Sequence, residues 1–310
     1  MPRLRASRSL RIVFRDSAVV RIEEQHRGGR LTGILGWPVE ESLSPAIHNA
    51  AFEALGLDWA YVPLPAPPGK LRRAIRELRA TPHFAGANVT MPHKEGVVRL
   101  MDEVTEDAAR LRAVNTIVVG VGGLAGHNTD APGFTRFLEE DAGFDPAGRT
   151  ALILGAGGAA RACALSLARG GASSVTVAAR DAGRAAAALR TLEGIPVRAV
   201  AISWSDAASV SADVVVNATP VTDPRQLPVP EIHSGQLVVD LWYRPMVTPL
   251  VAVAREAGAA AFTGLGLLVH QAALSFELWT GQAAPLPAMS AAALAALAVR
   301  ATEEDGPPHQ

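Results

Sequence analysis

Six residues, Gly155-Ala156-Gly157-Gly158-Ala159-Ala160, fit the pattern G-x-G-x-x-G/A. The chemistry served by this spacing is diphosphate binding. The first glycine permits a tight turn, the second lets the backbone approach a pyrophosphate, and the small last residue lets a helix pack close to a strand. The helix N-terminus then offers free N–H groups and the positive end of its dipole. A bare match is weak, because glycine-rich strand-to-helix turns are common. Here a β run over residues 150–154 precedes it and a helix expected over 157–169 follows. That context raises the dinucleotide reading above the plain turn.

The end of the next strand, expected over 174–179, selects the cofactor. An acidic residue there favours the ribose hydroxyls of NAD, and an arginine favours the 2′-phosphate of NADP. The chain has Arg180 and then Asp181, with Arg184 one turn on. Two guanidinium groups favour NADP. Asp181 is read as the N-cap of the helix that follows, and NAD stays possible.

Composition limits the alternatives. The chain has 310 residues, 49% of them hydrophobic, and a formal net charge of -1. That length suggests two domains. No clustered basic excess points to nucleic acid or an anionic membrane. No apolar run reaches the roughly 18 residues of a membrane span. The single cysteine, Cys163, excludes an internal disulfide and a cysteine-cluster metal site, and it is compatible with the cytoplasm. His48, His93 and His127 lack metal-ligand spacing, so no metal site is read.

These groups must be positioned by an alternation of strands and helices. Strands are expected over 31–36, 59–64, 84–89 and 114–119. Helices are expected from Ser44, with Ser44 as N-cap and Pro45 first, over 69–80, from Pro92 and near Ala131. A second α/β unit starts at Arg149, with buried strands of the apolar kind expected in a parallel sheet over 213–217 and 237–241. Thr248-Pro249 caps a further helix, and two apolar helices, 265–280 and 290–302, close the chain. The fold class is α/β in two domains with a cleft between them. Residues 1–30 and the tail from Glu303 are expected to be poorly ordered.

Several further motifs occur in a fixed order: Gly36-Trp37-Pro38 with Ser42-Leu43-Ser44-Pro45 and His48-Asn49; Ala87-Asn88-Val89-Thr90-Met91-Pro92-His93-Lys94; Ala113-Val114-Asn115-Thr116; Asn128-Thr129-Asp130; Asn217-Ala218-Thr219-Pro220; Asp240 to Tyr243; and Gly264-Leu265-Gly266 through Gln271. Together they resemble the shikimate dehydrogenase family from about residue 31 to 279. The resemblance implies a substrate domain, 31–130 completed by helices within 267–302, and a Rossmann-like NADP-binding domain, 131–266. It implies reversible reduction of 3-dehydroshikimate to shikimate, with Lys94 and Asp130 catalytic. Ser42, Ser44, Asn88, Thr90, Asn115, Tyr243 and Gln271 would bind the substrate. Gly155, Ala156, Gly157, Gly158, Ala159, Arg180, Arg184, Asn217, Ala218, Thr219, Leu241 and Gly264 would bind the cofactor. The partners implied are small molecules, with no nucleic acid and no membrane, for a monomer or homodimer.

Elementary chemistry agrees with these roles. Ketone reduction needs a proton at the carbonyl oxygen as well as a hydride. A lysine in the first turn of a helix from Pro92 sits where the dipole disfavours its ammonium form, and Asp130 would orient it, a pairing suited to acid–base work. Ser42 and Ser44 near a helix start suit a carboxylate. Neutral amides and hydroxyls suit a polyol ring, since a buried amide left unpaired is costly. Each residue alone is more often a turn, cap or surface group. The chain departs from the family pattern at Val221-Thr222-Asp223, at Ala179 and at Ala131, mostly on the cofactor side. Quinate/shikimate or aminoshikimate dehydrogenases and a weakly catalytic ligand-binding paralogue stay open, as does, at a distance, a methylenetetrahydrofolate dehydrogenase.

Overall fold

The computed structural model describes residues 29–304, with side chains to Ala301. The extension expected over 1–30 therefore lies outside the described residues up to 28, while Arg30 opens the first strand. Of the tail expected from Glu303, the last helix runs to Glu304, and 305–310 lie outside the described residues.

The first half builds a mixed sheet. Its elements are β1 (Arg30–Gly36), α1 (Ser44–Ala54), β2 (Trp59–Pro65), α2 (Leu71–Ala80), β3 (Phe84–Val89), β4 (Glu103–Val104), α3 (Glu106–Leu111), β5 (Thr116–Gly120), β6 (Gly123–His127) and α4 (Asp130–Arg136). The strand order is β2-β1-β3-β5-β6-β4. β1 runs parallel to β2 and β3, and β5 runs antiparallel to β3 and β6.

The second half is parallel throughout. It comprises β7 (Thr150–Leu154), α5 (Gly158–Arg169), β8 (Ser174–Ala179), α6 (Ala182–Leu189), β9 (Arg198–Ser203), β10 (Val214–Asn217), β11 (Leu237–Asp240), α7 (Pro249–Glu256) and β12 (Ala260–Thr263). The order β12-β11-β10-β7-β8-β9 reverses direction between β7 and β10, the crevice where doubly wound sheets bind nucleotides. The central strands are fully buried runs such as Val214 to Asn217, as a sheet covered on both faces requires.

The chain then returns. Helix α8 (Leu265–Thr280) packs on α4, β3 and β5, and α9 (Leu286–Glu304) packs on α1. Phe276, fully buried, meets Phe52 of α1 at 5.5 Å between ring centroids. Removing such a buried ring typically costs about 3–5 kcal/mol. The crossing of α4 and α8 is close enough that a Cβ on Gly133 would sit 2.9 Å from the Gln271 backbone. Only glycine allows this approach, and it carries Gln271 to the first sheet.

Several local expectations are corrected. Helix α2 starts at Leu71, because Gly69 is a turn residue at φ 83°. The N-cap of α1 is Leu43, not Ser44. Ser42 Oγ already accepts the Ser44 N–H at 3.2 Å and Pro45 has no N–H, so the helix starts one residue earlier than expected. Helix α5 starts at Gly158 with Gly157 as its cap. No helix begins at Pro92. The Lys94 carbonyl accepts from Val114 N at 2.9 Å, and buried His93 reaches Ala66 O at 2.6 Å, which holds this stretch in turns before a 3₁₀ turn over Gly96–Leu100. The helix-dipole reason given for Lys94 therefore does not apply. Strands β9 and β12 lack a clear sequence signal; β9 is half exposed without regular alternation.

Candidate active site

The sequence motifs converge on a cleft of about 190 Å³. Ser44, Asn88, Thr90, Lys94, Asn115, Asp130, Tyr243 and Gln271 line it, together with Ala159, Leu241 and Gly264 from the nucleotide-binding half. The volume is below the roughly 300–1,000 Å³ of drug-sized pockets, so the cleft suits a small ligand. Ser42 is not among its lining residues; its hydroxyl serves the start of α1 instead.

Lys94 follows the end of β3, and Asp130 opens α4. Lys94 Nζ lies 2.6 Å from Asp130 Oδ2. The other carboxylate oxygen accepts from Asn115 Nδ2 at 2.7 Å, and Asp130 N donates to Asn128 Oδ1 at 3.0 Å. Both oxygens are thus committed, and the carboxylate orients the lysine rather than capping the helix.

Behind this pair lies a buried polar network that the motifs alone do not pick out. Tyr61 OH donates to Asn88 Oδ1 at 2.8 Å, which leaves Asn88 Nδ2 to donate to Ser275 Oγ at 2.8 Å and Thr116 Oγ1 at 3.1 Å. Thr129 N donates to Asn115 Oδ1 at 2.7 Å. The signals are present in the sequence: Thr116 and Thr129 sit inside the ordered motifs, and Ser275 is one helical turn after Gln271. Burial raises the Tyr61 and Tyr243 hydroxyls above the usual tyrosine range, so both stay protonated as donors.

The nucleotide side is built from backbone. A Cβ on Gly155, at φ 109°, would meet Ala218 O at 2.8 Å, whereas one on Gly157 would meet nothing within 4 Å. The loop is thus tight where it turns and open where a pyrophosphate would lie. Among the described residues no side chain caps the start of α5, which leaves first-turn N–H groups for an anion. Ala156 and Gly158 are partly buried in the same turn. The residues present therefore fit a dinucleotide. Arg180 and Arg184 stand exposed beyond β8, outside the cleft, and make no ion pair among the described residues. Asp181 caps α6, accepting from Gly183 N at 2.8 Å and Arg184 N at 3.3 Å.

The loop that departs from the family pattern is also ordered by its own bonds. Asn217 Nδ2 donates to Asp240 Oδ1 at 3.0 Å, Thr219 Oγ1 donates to Asn217 Oδ1 at 2.7 Å, and Trp242 Nε1 donates to Thr219 O at 2.9 Å. Burial raises the Asp240 carboxyl, against the hydrogen bonds from Thr248, Trp242 N and Asn217. Asp223 caps a short turn and pairs with Arg225 at 2.9 Å, which lowers its carboxyl to about 2. Its charge is therefore neutralised locally. Among the described residues no group of three or more metal-ligating side chains forms, and no helix is long and apolar enough to cross a membrane.

A mixed α/β unit that holds a lysine–aspartate pair, facing a Rossmann unit across a small cleft, defines a two-domain nucleotide-dependent oxidoreductase architecture. Comparison with known proteins specifies it further. The model of the shikimate dehydrogenase substrate binding domain matches residues 34–117, and that of the shikimate 5'-dehydrogenase C-terminal domain matches 264–294. Residues 150–243, the Rossmann stretch, match a model described as NADP oxidoreductase coenzyme F420-dependent. The shikimate dehydrogenase (NADP(+)) of Methanopyrus kandleri is 43% identical over 275 residues, 85% of this chain and 94% of that protein. Shikimate 5-dehydrogenase from Thermus thermophilus, solved with NADP(H) and shikimate, superposes with a TM-score of 0.76 at 38% identity, covering 86% of this chain and 100% of that one. A ligand-free 5-ketofructose reductase of Gluconobacter superposes with a TM-score of 0.79 at 31% identity over 86% and 98% of the two chains. The chain belongs to the shikimate dehydrogenase family.

Proposed function

We propose that the protein is an NADP-dependent shikimate dehydrogenase that reversibly reduces 3-dehydroshikimate to shikimate. One observation carries this reading: Lys94, paired with Asp130, lines the same small cleft as Ala159 of the dinucleotide loop. The bound cofactor supplies the hydride. Lys94 Nζ gives a proton to the ketone oxygen during reduction, and in reverse its neutral amine takes the proton back from the hydroxyl. Asp130 holds the amine in place. Ser44 hydrogen-bonds the substrate carboxylate, with Ser42 acting through the start of α1. Asn88, Thr90, Asn115, Tyr243 and Gln271 bind the ring hydroxyls and carboxylate. The Gly155–Ala159 backbone holds the pyrophosphate, Arg180 and Arg184 hold the 2′-phosphate, and Asn217, Ala218, Thr219, Leu241 and Gly264 form the nicotinamide wall.

In this reading the working unit divides near residues 130 and 267, with α8 and α9 completing the substrate half. It acts as a monomer or homodimer in the cytoplasm on small molecules alone, without nucleic acid. The test is a steady-state assay with shikimate, quinate and the reduced form of 5-ketofructose, each with NADP and NAD. The expected result is the highest kcat/KM for shikimate with NADP. A higher value for quinate or the ketose pair would reassign the substrate, and a preference for NAD would reassign the cofactor.

A further inference from the structure

Helix α5 is tied to the first half of the chain at both ends. At its C-terminal end Arg169 makes a two-pronged ion pair with Asp107 of α3, at 2.8 and 2.5 Å. In its first turn Arg161 Nη2 lies 2.6 Å from Glu95 Oε1. The two arginines are eight residues apart, about 12 Å along the helix. What they anchor differs. Asp107 does not line the cleft that holds Lys94. Glu95 is the residue after Lys94, and Arg161 directly follows the glycine loop, whose Ala159 lines that cleft. Arg161 is mostly enclosed, with a side chain 15% exposed. Both partners line a second, open cleft of about 1,020 Å³, so the pair bridges a gap.

We infer that Arg161 and Glu95 are positioning residues that set the spacing between the Lys94 turn and the dinucleotide loop; this rests on the reductase reading above. The hydride and the proton must reach adjacent atoms of one carbonyl. Their sources sit on different halves of the chain, and reaction rates fall steeply when such groups are displaced by even an ångström. The Lys94 stretch is a run of turns rather than a helix, so a side-chain tie has more to fix there than on a rigid element. Arg169–Asp107 joins the same helix to the same half without touching that turn, which makes it an internal control.

The test compares Glu95→Gln, Arg161→Gln, their double variant and Arg169→Gln. It reads kcat, both KM values, the isotope effect with cofactor deuterated at the transferred position, and Tm. Because one partner is largely exposed, Glu95→Gln should lower kcat only about two- to fivefold. It should raise the isotope effect and leave the KM for cofactor near normal. The double variant should be no slower than the worse single one. Arg169→Gln should lower Tm and leave kcat and the isotope effect unchanged. An unchanged kcat and isotope effect in Glu95→Gln would overturn the inference, as would an equal loss in Arg169→Gln. A rise in cofactor KM in Arg161→Gln alone, with Glu95→Gln normal, would make Arg161 a cofactor contact and also overturn it. Failure of the wild type to turn over shikimate with NADP would instead sink the reductase reading. The Tm values then still decide whether the pair exists, because additive losses at 95 and 161 would show no coupling between them.

Discussion

In the first half of the molecule the groups facing the cleft are side chains bonded to one another. Asp130 is held by Lys94, Asn115 and Asn128, and Asn88 is held by Tyr61, Thr116 and Ser275. In the second half the facing groups are mostly backbone, shaped by Gly155 and by the open start of α5, with two exposed arginines beyond them. The difference matches the tasks assigned to them. A polyol and a moving proton need donors and acceptors fixed before the ligand arrives, because preorganised groups need little rearrangement during the reaction. A diphosphate needs N–H groups and space. Substitution should therefore act on rate in the first half and on cofactor affinity in the second.

The largest effect should come from breaking the Lys94–Asp130 pair. Lys94→Ala should lower kcat about 10²–10⁴-fold, the range for a general acid–base group. Substrate KM should change less, since Ser44, Asn88 and Gln271 remain. Lys94→Arg should not rescue, because a guanidinium does not release its proton near neutrality. Asp130→Asn should also be slow, and the double variant little slower than the worse single one. Near-normal kcat in a folded Lys94→Ala protein would move the proton donor elsewhere, with Tyr243 the next candidate in the cleft. The contrasting change is Arg180→Ala. It should weaken NADP binding about tenfold to a hundredfold by removing a charge-assisted phosphate contact, while NAD binding and kcat at saturation stay nearly constant. Equal weakening for both cofactors would show that Arg180 does not read the phosphate.

The same buried core holds a histidine whose neutral form it favours. His48 on α1 is fully buried, stacked on Tyr61 at 4.3 Å, and neither ring nitrogen has a hydrogen-bond partner among the described residues. Burial lowers its pKa to about 3, opposed by the neighbouring Asn88 amide. The folded state thus favours the neutral ring. That contribution is complete above the ordinary value near 6.5 and is lost as pH falls from there toward 3, by up to about 1.4 kcal/mol per pH unit. His127, also lowered by burial, adds to the slope. His48→Leu should therefore flatten the decline in denaturation midpoint between about pH 6.5 and 4 relative to wild type. Parallel curves for the two proteins would show that the ring is not held neutral.

How much of this is legible in the sequence depends on the reach of each signal. Local signals read well. Strand β7, the Thr248 cap, whose hydroxyl accepts from Val251 N, and helix α8 all fall where expected. The failures arise where distant partners override local preference. Pro92 suggests a helix start, but Val114 and Ala66 claim the hydrogen bonds of that stretch. Ser44 suggests a cap, but Ser42 takes its N–H. Lys94, Asp130 and Gln271 have no local reason to be grouped, and only the motif order joins them. Ser275 looks like a stray hydroxyl in an apolar helix until Asn88 and Thr116 meet it. Nothing local joins Arg161 to Glu95, because their pairing crosses from one half of the chain to the other.

The smallest effect concerns Asp181, and it sharpens the division between backbone and side-chain recognition on the cofactor side. An acidic residue at this strand end is the ordinary ligand of an NAD ribose, yet here its carboxylate is engaged by two N–H groups at the start of α6. Asparagine caps helices about as well as aspartate, and alanine does not. Asp181→Asn should therefore leave Tm almost unchanged, and Asp181→Ala should cost roughly 1 kcal/mol or less at this exposed cap. Neither should weaken NAD binding appreciably. If Asp181→Asn instead lowers affinity for NAD while sparing NADP and Tm, the carboxylate reads the ribose, and the cap is only its resting position. The ratio of the two cofactor affinities in Asp181→Asn, measured beside Arg180→Ala, thus separates a helix cap from a specificity determinant on neighbouring residues.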